Sequence, residues 1–361
     1  MQDVYFVDSR AEVCEVEKWY QPKLSLVRKL EKLIDESGAL DFIGKGDIIA
    51  VKTHFGERGT TKTLRPIFIR KIVDAVRERG GKPFVTETTG LGMVKDRCTA
   101  LGRMKIAEEN GYTSQTLNAP IIIADGIKGY DYVEVEIDGK HLKKINVARA
   151  IADSDAVVCA THFKLHMMAG MGGSIKNIGV GCVAKPSKFD LHCPAYPVIN
   201  ENCNECGDCV KVCPSNAIVN FKVREELCVK CGACDEVCRE NAIELTWLEG
   251  KDISERIAEC ASGVMKTVDN FAFFNFAIDI TPHCDCHPYS DNPVVPDIGI
   301  FASNDIVAVD KASYDAFLEL DRNPNPLVNN FWEWTDPLAQ IVYAESLGIG
   351  ESNYKIVDGD E

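Results

Sequence analysis

The sequence has no long apolar run and a shortage of positive charge. No segment approaches the roughly 20 apolar residues of a transmembrane helix, and residues 1–18 lack both the basic and the apolar parts of a secretion signal. Forty Lys and Arg residues stand against 55 Asp and Glu residues, a net charge of −15. Nucleic acids and anionic membranes would repel such a chain. We therefore expect a cytoplasmic protein that binds neither.

Cysteine, by contrast, is abundant, and eight of the 16 cysteines lie in residues 203–243. In a reducing compartment, cysteines are more often metal ligands or buried thiols than disulfides. The segment reads CNECGDCVKVCPSNAI, nine further residues, and CVKCGACDEVCRENAI. A shift of 25 positions superimposes the four cysteines of the first repeat on those of the second. This duplication predicts a cofactor framework.

Each repeat has the spacing C-x-x-C-x-x-C-x-x-x-C, which favours [4Fe–4S] ligation with the fourth ligand taken from the other repeat. The predicted ligands of the first cluster are Cys203, Cys206, Cys209 and Cys238. Those of the second cluster are Cys228, Cys231, Cys234 and Cys213. Two zinc sites or a disulfide framework are the alternatives, although zinc prefers C-x-x-C pairs separated by a longer loop.

This segment resembles the two-cluster bacterial ferredoxins. Pro214 follows the first repeat as in that family, whereas Arg239 stands at the equivalent position of the second repeat. The resemblance implies a small α+β module that holds two [4Fe–4S] clusters, and the departure at Arg239 bears on the cluster that uses Cys238.

Outside this segment, patterns typical of strands and helices alternate. Predicted strands cover residues 48–51, 82–86, 120–124, 156–160, 271–280 and 354–357. Predicted helices cover residues 22–37, 98–110, 147–153, 252–268, 310–320 and 337–347, with a further helix that begins near Pro66 and ends at Gly80. Such alternation predicts an α/β fold, an open and mostly parallel sheet with helices on both faces.

Three regions depart from the alternation. Residues 132–137 and 140–145 flank Asp138-Gly139 and predict a hairpin. Residues 186–197 have the composition of a linker, and residues 297–301 and 305–309 have that of strands or turns. Because the α/β pattern resumes after the cysteines, we predict one discontinuous α/β domain, residues 1–190 and 249–361, interrupted by a ferredoxin-like module at residues 191–248.

Polar side chains follow the predicted strands. In an open parallel sheet the functional crevice lies outside the carboxyl ends of the strands, and five of the seven histidines fall there. A single histidine after a strand is more often a surface or packing residue, but these positions support one another. The candidate catalytic residues are His54, His162, His166 and Lys176.

Two glycine- or cysteine-rich motifs lie at the same strand ends. HCDCH offers four ligands for a further divalent metal, His283, Cys284, Cys286 and His287, with Cys182 or Cys193 as candidate partners; buried inert thiols are the alternative. GMGGSIKNIGVG, residues 170–181, would suit an anionic ligand at the start of a helix. A tight turn of packing glycines is its alternative.

Four motifs together resemble the family known as the domain of unknown function 362: VKTHFGE, THFKLH, GGSIKN and DPLAQIVYAESLGIG. Many members carry a ferredoxin insertion at the same place, so the resemblance implies the fold and the clusters, but no reaction. HMMAGMGGSIKNIGVG, residues 166–181, is also similar to the H…AG..GG.K...PG loop of the nickel-pincer lactate racemases.

In those racemases the histidine helps to bind the nickel cofactor and the lysine tethers it. His162 or His166 matches that histidine and Lys176 matches that lysine, while Val180 replaces the proline. We interpret the match as a shared fold element and infer no pincer cofactor.

The leading hypothesis is a redox protein in which two [4Fe–4S] clusters relay electrons between a redox partner protein and a small-molecule substrate or metal in the crevice. One alternative is a non-enzymatic, ferredoxin-like electron carrier. The other is a metal-dependent enzyme of the isomerase type with structural clusters.

Overall fold

The computed structural model describes residues 1–13, 20, 22–320 and 332–359. The strands are β1 Gln2–Asp8, β2 Glu12–Val13, β3 Pro22–Leu24, β4 Ile48–Lys52, β5 Lys82–Glu87, β6 Ile121–Ile123, β7 Tyr132–Glu136, β8 Lys144–Ala148, β9 Ala156–His162, β10 Lys164–His166, β11 Gly170–Gly172, β12 Val198–Ile199, β13 Ile218–Val219, β14 Lys222–Val223, β15 Ile243–Glu244, β16 Asn270–Ala277, β17 Gly299–Ser303 and β18 Tyr354–Asp358. The α-helices are α1 Leu26–Glu36, α2 Pro66–Glu78, α3 Ala100–Glu109, α4 Ser114–Leu117, α5 Arg149–Ala152, α6 Ser174–Gly179, α7 Lys185–His192, α8 Asp208–Val212, α9 Ala233–Val237, α10 Gly250–Met265, α11 Ile306–Leu318 and α12 Pro337–Ser346.

One sheet of eight strands organises the chain, in the order β18-β1-β17-β16-β9-β4-β5-β6. Strand β17 is antiparallel to β1 and β16, and every other neighbouring pair is parallel. The predicted open, mostly parallel α/β sheet is therefore confirmed. Strand β16 follows residues 191–248 in the chain and pairs with β9, which precedes them. The exact limits of the domains stay a prediction.

Helices cover both faces of the sheet because alternate strand residues point to opposite sides. In β9, Val157 and Cys159 belong to an apolar core that also contains side chains of α6, α10, α11 and α12. Val158 and Ala160 belong to a second core with side chains of α1, α2 and α3. Each fully buried aliphatic side chain of this kind contributes about 1.5–3 kcal/mol, so the two cores fix the strands and their carboxyl ends.

Several elements differ from the sequence-based predictions. Helix α1 begins at Leu26 because Ser25 is its N-cap, and residues 22–24 form β3 instead. Residues 305–309, predicted as strand or turn, include the start of α11, where the Asp305 carboxylate accepts hydrogen bonds from the N–H groups of Val307 and Ala308 at 2.9 and 2.8 Å. Strand β1 was not predicted, because its buried residues do not alternate.

The predicted hairpin is present, but its loop is longer than Asp138-Gly139. In the β7–β8 pair Tyr132 lies opposite Ala148 and Glu136 opposite Lys144, which leaves residues 137–143 as the loop. Glu259 of α10 accounts for the difference. Its carboxylate accepts hydrogen bonds from the N–H groups of His141 and Leu142 at 2.9 and 2.7 Å, so these groups do not take part in the strand ladder.

The prediction of a linker at residues 186–197 is wrong for its first part, which lies in α7. Phe189 and Leu191 are buried, and Lys185 is buried too, with its Nζ donating to the carbonyl oxygens of Gly92 and Cys98 at 2.6 and 2.7 Å. The Lys- and Pro-rich composition resembles that of a linker, but these contacts make the segment part of the folded body.

The cysteine-rich segment repeats its backbone every 25 residues, as its sequence does. It contains one short hairpin, β13 with β14, an antiparallel pair of β12 with β15 that joins its two ends, and two one-turn helices, α8 and α9. Equivalent positions share a positive φ, namely Glu205 and Lys230, Gly207 and Gly232, and Asn216 and Asn241. The two halves therefore have matching local folds.

No helix in the described part of the chain is both long and apolar enough to cross a membrane.

Gly179 provides a test of the packing between α6 and α10. A Cβ at this position would lie 2.2 Å from the carbonyl oxygen of Ile257 in α10, so Gly179→Ala should force the helices apart and cost about 1–3 kcal/mol. Gly172→Ala is the control, because its Cβ would meet nothing closer than 3.7 Å. Urea denaturation should show a large decrease in the free energy of unfolding for Gly179→Ala and a small change for Gly172→Ala. Equal decreases for the two variants would refute the packing argument.

Candidate functional site

A crevice of about 340 Å³ opens at the carboxyl ends of β4, β5 and β9. It brings together all four candidate catalytic residues and three residues of HCDCH; these are His54, His162, His166, Lys176, Cys284, Cys286 and His287. Residues distant in sequence converge here because parallel strands end at the same edge of the sheet. We call this cavity the crevice.

The buried carboxylate of Glu87 lies at the centre of the charged network. Its Oε1 lies 3.0 Å from Lys52 Nζ, and its Oε2 lies 2.5 Å from His54 Nδ1 and 3.4 Å from an Arg103 guanidinium nitrogen. Burial alone would raise the pKa of Glu87, but Lys52, His54 and Arg103 outweigh it and hold this pKa well below its usual value. Glu87 is therefore a permanent counter-charge for the cations around it.

His54 has one ring nitrogen held and the other without a partner. Its Nδ1 faces the Glu87 carboxylate, whereas its Nε2 is buried and has no hydrogen-bond partner among the described residues. A carboxylate behind Nδ1 favours the tautomer that leaves Nε2 free to accept a proton or bind a ligand. Of the candidate histidines, His54 is thus prepared for proton transfer.

His162, in contrast, has both ring nitrogens engaged within the protein. Its Nδ1 lies 2.8 Å from Asp285 Oδ2, and its Nε2 lies 2.9 Å from the Ile278 carbonyl oxygen. Lys164 Nζ lies 3.3 Å from the same Asp285 oxygen. Burial would raise the pKa of Asp285, but His162 and Lys164 lower it below its usual value. These contacts make His162 an anchor of the HCDCH segment.

His166, Cys284 and Cys286 form a compact group in which the ring nitrogen and the two sulfurs lie within 4.8 Å of one another. His166 Nδ1 accepts hydrogen bonds from the N–H groups of Met168 and Ala169, both at 3.2 Å. Burial and nearby Lys176 lower the pKa of His166 to about 4, so its ring is neutral. With Nδ1 as acceptor, the neutral ring carries its proton on Nε2, 3.8 Å from Cys286 Sγ.

Lys176 stabilises negative charge on this cysteine pair. Its Nζ lies 3.8 Å from Cys284 Sγ. Burial would lower the pKa of Lys176, but the neighbouring Cys284 and Cys286 raise it, so the ammonium group is retained. A hydrogen bond from Cys286 and the charges of Lys176 and Lys164 hold the pKa of Cys284 well below that of a free thiol, in spite of burial.

The crevice carries an excess of positive charge in an acidic protein. Among the described residues that line it, six are Lys or Arg and two are Glu: Lys52, Arg97, Arg103, Lys164, Lys176 and Lys188, with Glu57 and Glu87. Lys188 Nζ donates to two neutral oxygens, Thr88 Oγ1 and the Val183 carbonyl, and burial lowers its pKa to about 8. An anion would be attracted to this site.

Other sequence-based candidates lie elsewhere. Cys182 is buried in an apolar core, and burial raises its pKa to about 12. His283 is buried against the Trp332 and Tyr289 rings, and its Nδ1 has no partner among the described residues. Neither lies in the compact group of His166, Cys284 and Cys286.

The expected anion site at the start of α6 is wrong as well. Asp310 occupies it, because its carboxylate oxygens accept hydrogen bonds from the N–H groups of Ser174 and Ile175 at 2.6 and 2.9 Å. Burial raises the pKa of Asp310 to about 6 in spite of these bonds. The start of α6 therefore binds a carboxylate of the chain itself.

The eight cysteines of the repeats line two further cavities. One, of about 170 Å³, is lined by the set Cys203, Cys206, Cys209 and Cys238. The other, of about 20 Å³, is lined by the set Cys213, Cys228, Cys231 and Cys234. Each set has one buried member, Cys209 and Cys231, but the first set also has an exposed member, Cys206. We call the first the outer set and the second the inner set.

The inner set contacts the wall of the crevice. The Gly92 N–H donates to the Cys231 carbonyl at 2.6 Å, and the Glu236 carboxylate accepts hydrogen bonds from the N–H groups of Met93, Val94 and Lys95. Leu91 lines both the crevice and a neighbouring cavity of about 470 Å³ that reaches Gly232. Residues 91–95 thus connect the crevice to the cysteine-rich segment.

Two important residues, Arg103 and Asp285, were not predicted. Asp285 lies inside HCDCH, between Cys284 and Cys286. In an extended segment its side chain would point to the side opposite the two cysteines, and this position is the one signal in the sequence that could have identified it. Arg103 lies on α3, and its guanidinium reaches Glu57 at 2.8 Å only through tertiary packing. No local pattern in the sequence marks it.

Fold and site define an α/β protein with a cation-lined crevice at the carboxyl edge of its sheet and a duplicated cysteine-rich segment beside it. Residues 49–315 match the family model described as Domain of unknown function (DUF362). The chain belongs to that family. The matched residues include all the crevice residues discussed above and both sets of cysteines.

Two individual proteins are similar to the chain. The thylakoid-associated protein sll1697 of Synechocystis sp. is 28% identical over 177 residues, which cover 47% of this chain and 50% of that protein. The lactate racemase apoprotein from Thermoanaerobacterium thermosaccharolyticum superimposes with a TM-score of 0.40 at 12% identity, covering 80% of this chain and 54% of the racemase chain. The chain spans about half the length of each.

Replacement of Glu87 tests the charged network. Glu87→Gln would leave the buried charge of Lys52 without its counter-charge and leave Arg103 with Glu57 alone, and we expect a loss of about 3–5 kcal/mol of stability at pH 7. Because the pKa of Glu87 is lowered in the folded state, the wild type loses this stabilisation as pH falls below the unfolded pKa of about 4.3. The difference in free energy of unfolding between wild type and Glu87→Gln should therefore become smaller as the pH falls.

Urea denaturation from pH 7 down to about pH 3, below the unfolded pKa of about 4.3, measures this gap. Glu109→Gln is the control, since Glu109 forms an exposed pair with Arg58 and should change little. A gap that stays constant with pH would rule out Glu87 as the ionised centre.

Proposed function

We propose that the protein is an iron–sulfur oxidoreductase in which two [4Fe–4S] clusters relay electrons to or from a small anionic molecule in the crevice. The arrangement of the cysteines carries the proposal. Each of the two cavities takes three cysteines from one repeat and one from the other, which is the ligand pattern of two-cluster ferredoxins. Two zinc sites or a disulfide framework would not require that each repeat supply one cysteine to the set of the other repeat.

The donor groups fit such a cofactor. Each set offers four thiol sulfurs, and each set accepts N–H to sulfur hydrogen bonds: from Ala242 to Cys238 Sγ at 3.2 Å in the outer set, and from Ala217 to Cys213 Sγ at 3.2 Å and Ala233 to Cys231 Sγ at 3.4 Å in the inner set. Hydrogen bonds to sulfur are among the means by which proteins set cluster potentials. The cavity of the inner set, at about 20 Å³, would have to widen on binding. When bound, the clusters supply one-electron transfer.

The positions of the two sets indicate which of them would exchange electrons with a redox partner protein and which with the crevice. Cys206 of the outer set is exposed and therefore accessible to a redox partner protein. Cys231 of the inner set is buried and contacts Gly92, next to Leu91 in the crevice wall. We therefore assign the outer set to exchange with the partner and the inner set to exchange with the crevice.

In the crevice, the cationic side chains would hold the substrate and His54 would move its proton. Lys176, Lys188 and Arg97 are placed to pair with carboxylate or phosphate oxygens. His54 accepts or donates a proton at Nε2 while the Glu87 carboxylate holds Nδ1. A reducing, cytoplasmic location is part of the proposal, since exposed thiol ligands require it.

Metal analysis tests the proposal directly. Protein purified without oxygen should contain about eight iron and eight sulfide per chain, and Cys206→Ser and Cys231→Ser should each lose up to half of them. Cys260→Ser is the matched control, because this buried thiol lies in α10 outside both sets, and it should keep the full content. Zinc in place of iron, or an iron content untouched by either variant, would disprove the cluster assignment.

His54→Gln separates an enzyme from a carrier. The variant removes the free basic nitrogen but leaves both sets of cysteines, so reduced protein should still deliver electrons to a small cytochrome at the wild-type rate. Reoxidation by a panel of small carboxylates, followed by visible absorbance, should slow by about 10²-fold for any molecule that is reduced in the crevice. Equal rates with every carboxylate that oxidises the wild type would favour the ferredoxin-like carrier.

A further inference from the structure

The cysteines of HCDCH are arranged as a pair of thiols that face a cavity. Cys284 and Cys286 both line the crevice, while Asp285 between them binds His162 and Lys164 on the other side. Asp285 is 2% exposed, so this anchor holds the loop in place. The sulfurs lie within 4.8 Å of each other, close enough for the small shift that a disulfide requires.

The surroundings of the pair favour sulfur chemistry over metal binding. A histidine that binds a metal through Nε2 keeps its proton on Nδ1 and donates it to an acceptor. His166 has the reverse arrangement, because its Nδ1 faces two backbone N–H donors, those of Met168 and Ala169. Its Nε2–H therefore points towards sulfur as a donor, and the Lys176 ammonium at 3.8 Å adds a positive charge beside Cys284. A cation would be repelled there, whereas a thiolate is stabilised.

We propose that Cys284 and Cys286 form a redox-active dithiol that reduces the disulfide bond of a small anionic molecule bound in the crevice. Cys284 is the attacking sulfur, because Lys176 lies beside it, and Cys286 is the resolving sulfur. Cys286 is the more exposed of the two. The excess of Lys and Arg along the crevice selects an anionic substrate.

The proposed exchange has two steps. The Cys284 thiolate attacks one sulfur of the substrate, R–S–S–R, which forms a mixed disulfide and breaks the S–S bond of the substrate. The released RS⁻ takes the proton of Cys286. The Cys286 thiolate then attacks Cys284 Sγ, which forms the Cys284–Cys286 disulfide and releases the second RS⁻, protonated by water. Two electrons pass from the pair to the substrate.

Return of the pair to its starting state, one thiolate and one thiol, needs two electrons and one proton. Delivery of these electrons from the inner set of cysteines rests on the proposed function above. The exchange itself does not, because it needs only the two thiols and their neighbours. The two ideas can therefore fail separately.

The test exposes anaerobic, fully loaded protein to two disulfides of similar size, anionic dithiodipropionate and neutral hydroxyethyl disulfide. Peptide mass spectrometry should find the Cys284–Cys286 disulfide, with two thiols released per chain, and the anionic probe should react about tenfold faster at low salt. Cys286→Ser should stop at a mixed disulfide on Cys284, and Cys284→Ser should not form one. Cys260→Ser, the control, should behave as the wild type.

Lys176→Met supplies a second measurement that does not depend on loss of a thiol. It should slow the first attack and reduce the preference for the anionic probe. The proposal is overturned if the pair resists both probes, if a tightly bound zinc ion protects both thiols, or if Cys286→Ser traps no mixed disulfide. If protein purified without oxygen contains no iron and still performs the exchange, the missing iron refutes the proposed function and this inference stays intact.

Discussion

The arrangement of the crevice depends on the contacts of one buried carboxylate, that of Glu87. Lys52 ends β4 and Arg103 lies on α3, and both would be costly to bury without an opposite charge. The Glu87 carboxylate at the end of β5 contacts both of them and His54, and Glu57 adds a second ion pair to Arg103. Since the ends of parallel strands are fixed by the two cores behind them, the charge centre has a defined position. Because His54 Nδ1 contacts Glu87, the position of its Nε2 is defined as well.

Around this centre, the crevice contains groups with different tasks. His162 is bound at both ring nitrogens and holds the HCDCH loop in place through Asp285. His166 presents a hydrogen-bond donor to sulfur, and His54 presents an acceptor to the cavity. Three histidines that look equivalent in sequence are thus distinguished by what their second nitrogen contacts. That distinction is the reason why we propose proton transfer at His54 and sulfur chemistry at Cys284.

Much of this molecule could be predicted from its sequence, and the failures have physical reasons. The sheet followed from buried apolar runs with polar residues at their ends, and the convergence of His54, His162 and His166 followed from the parallel strand order. The β7–β8 loop and α7 could not be predicted, because they depend on Glu259 and Lys185, side chains that act across long sequence distances. Arg103 and Asp310 belong to the same class. Their roles come from tertiary contacts that leave no local periodicity.

The backbone of residues 92–95 ties two parts of the protein into one thermodynamic unit. Four consecutive N–H groups in this stretch donate to Cys231 and Glu236 of the cysteine-rich segment, and the neighbouring Leu91 forms part of the crevice wall. Whatever orders that segment also orders the wall, so binding of the proposed clusters would contribute part of its free energy to the order of the crevice wall. Thermodynamic linkage between two binding sites is reciprocal. A ligand that prefers the ordered crevice wall would therefore raise the affinity of the cysteine-rich segment for the proposed clusters. An occupied crevice would then protect the protein during brief exposure to oxygen or chelators.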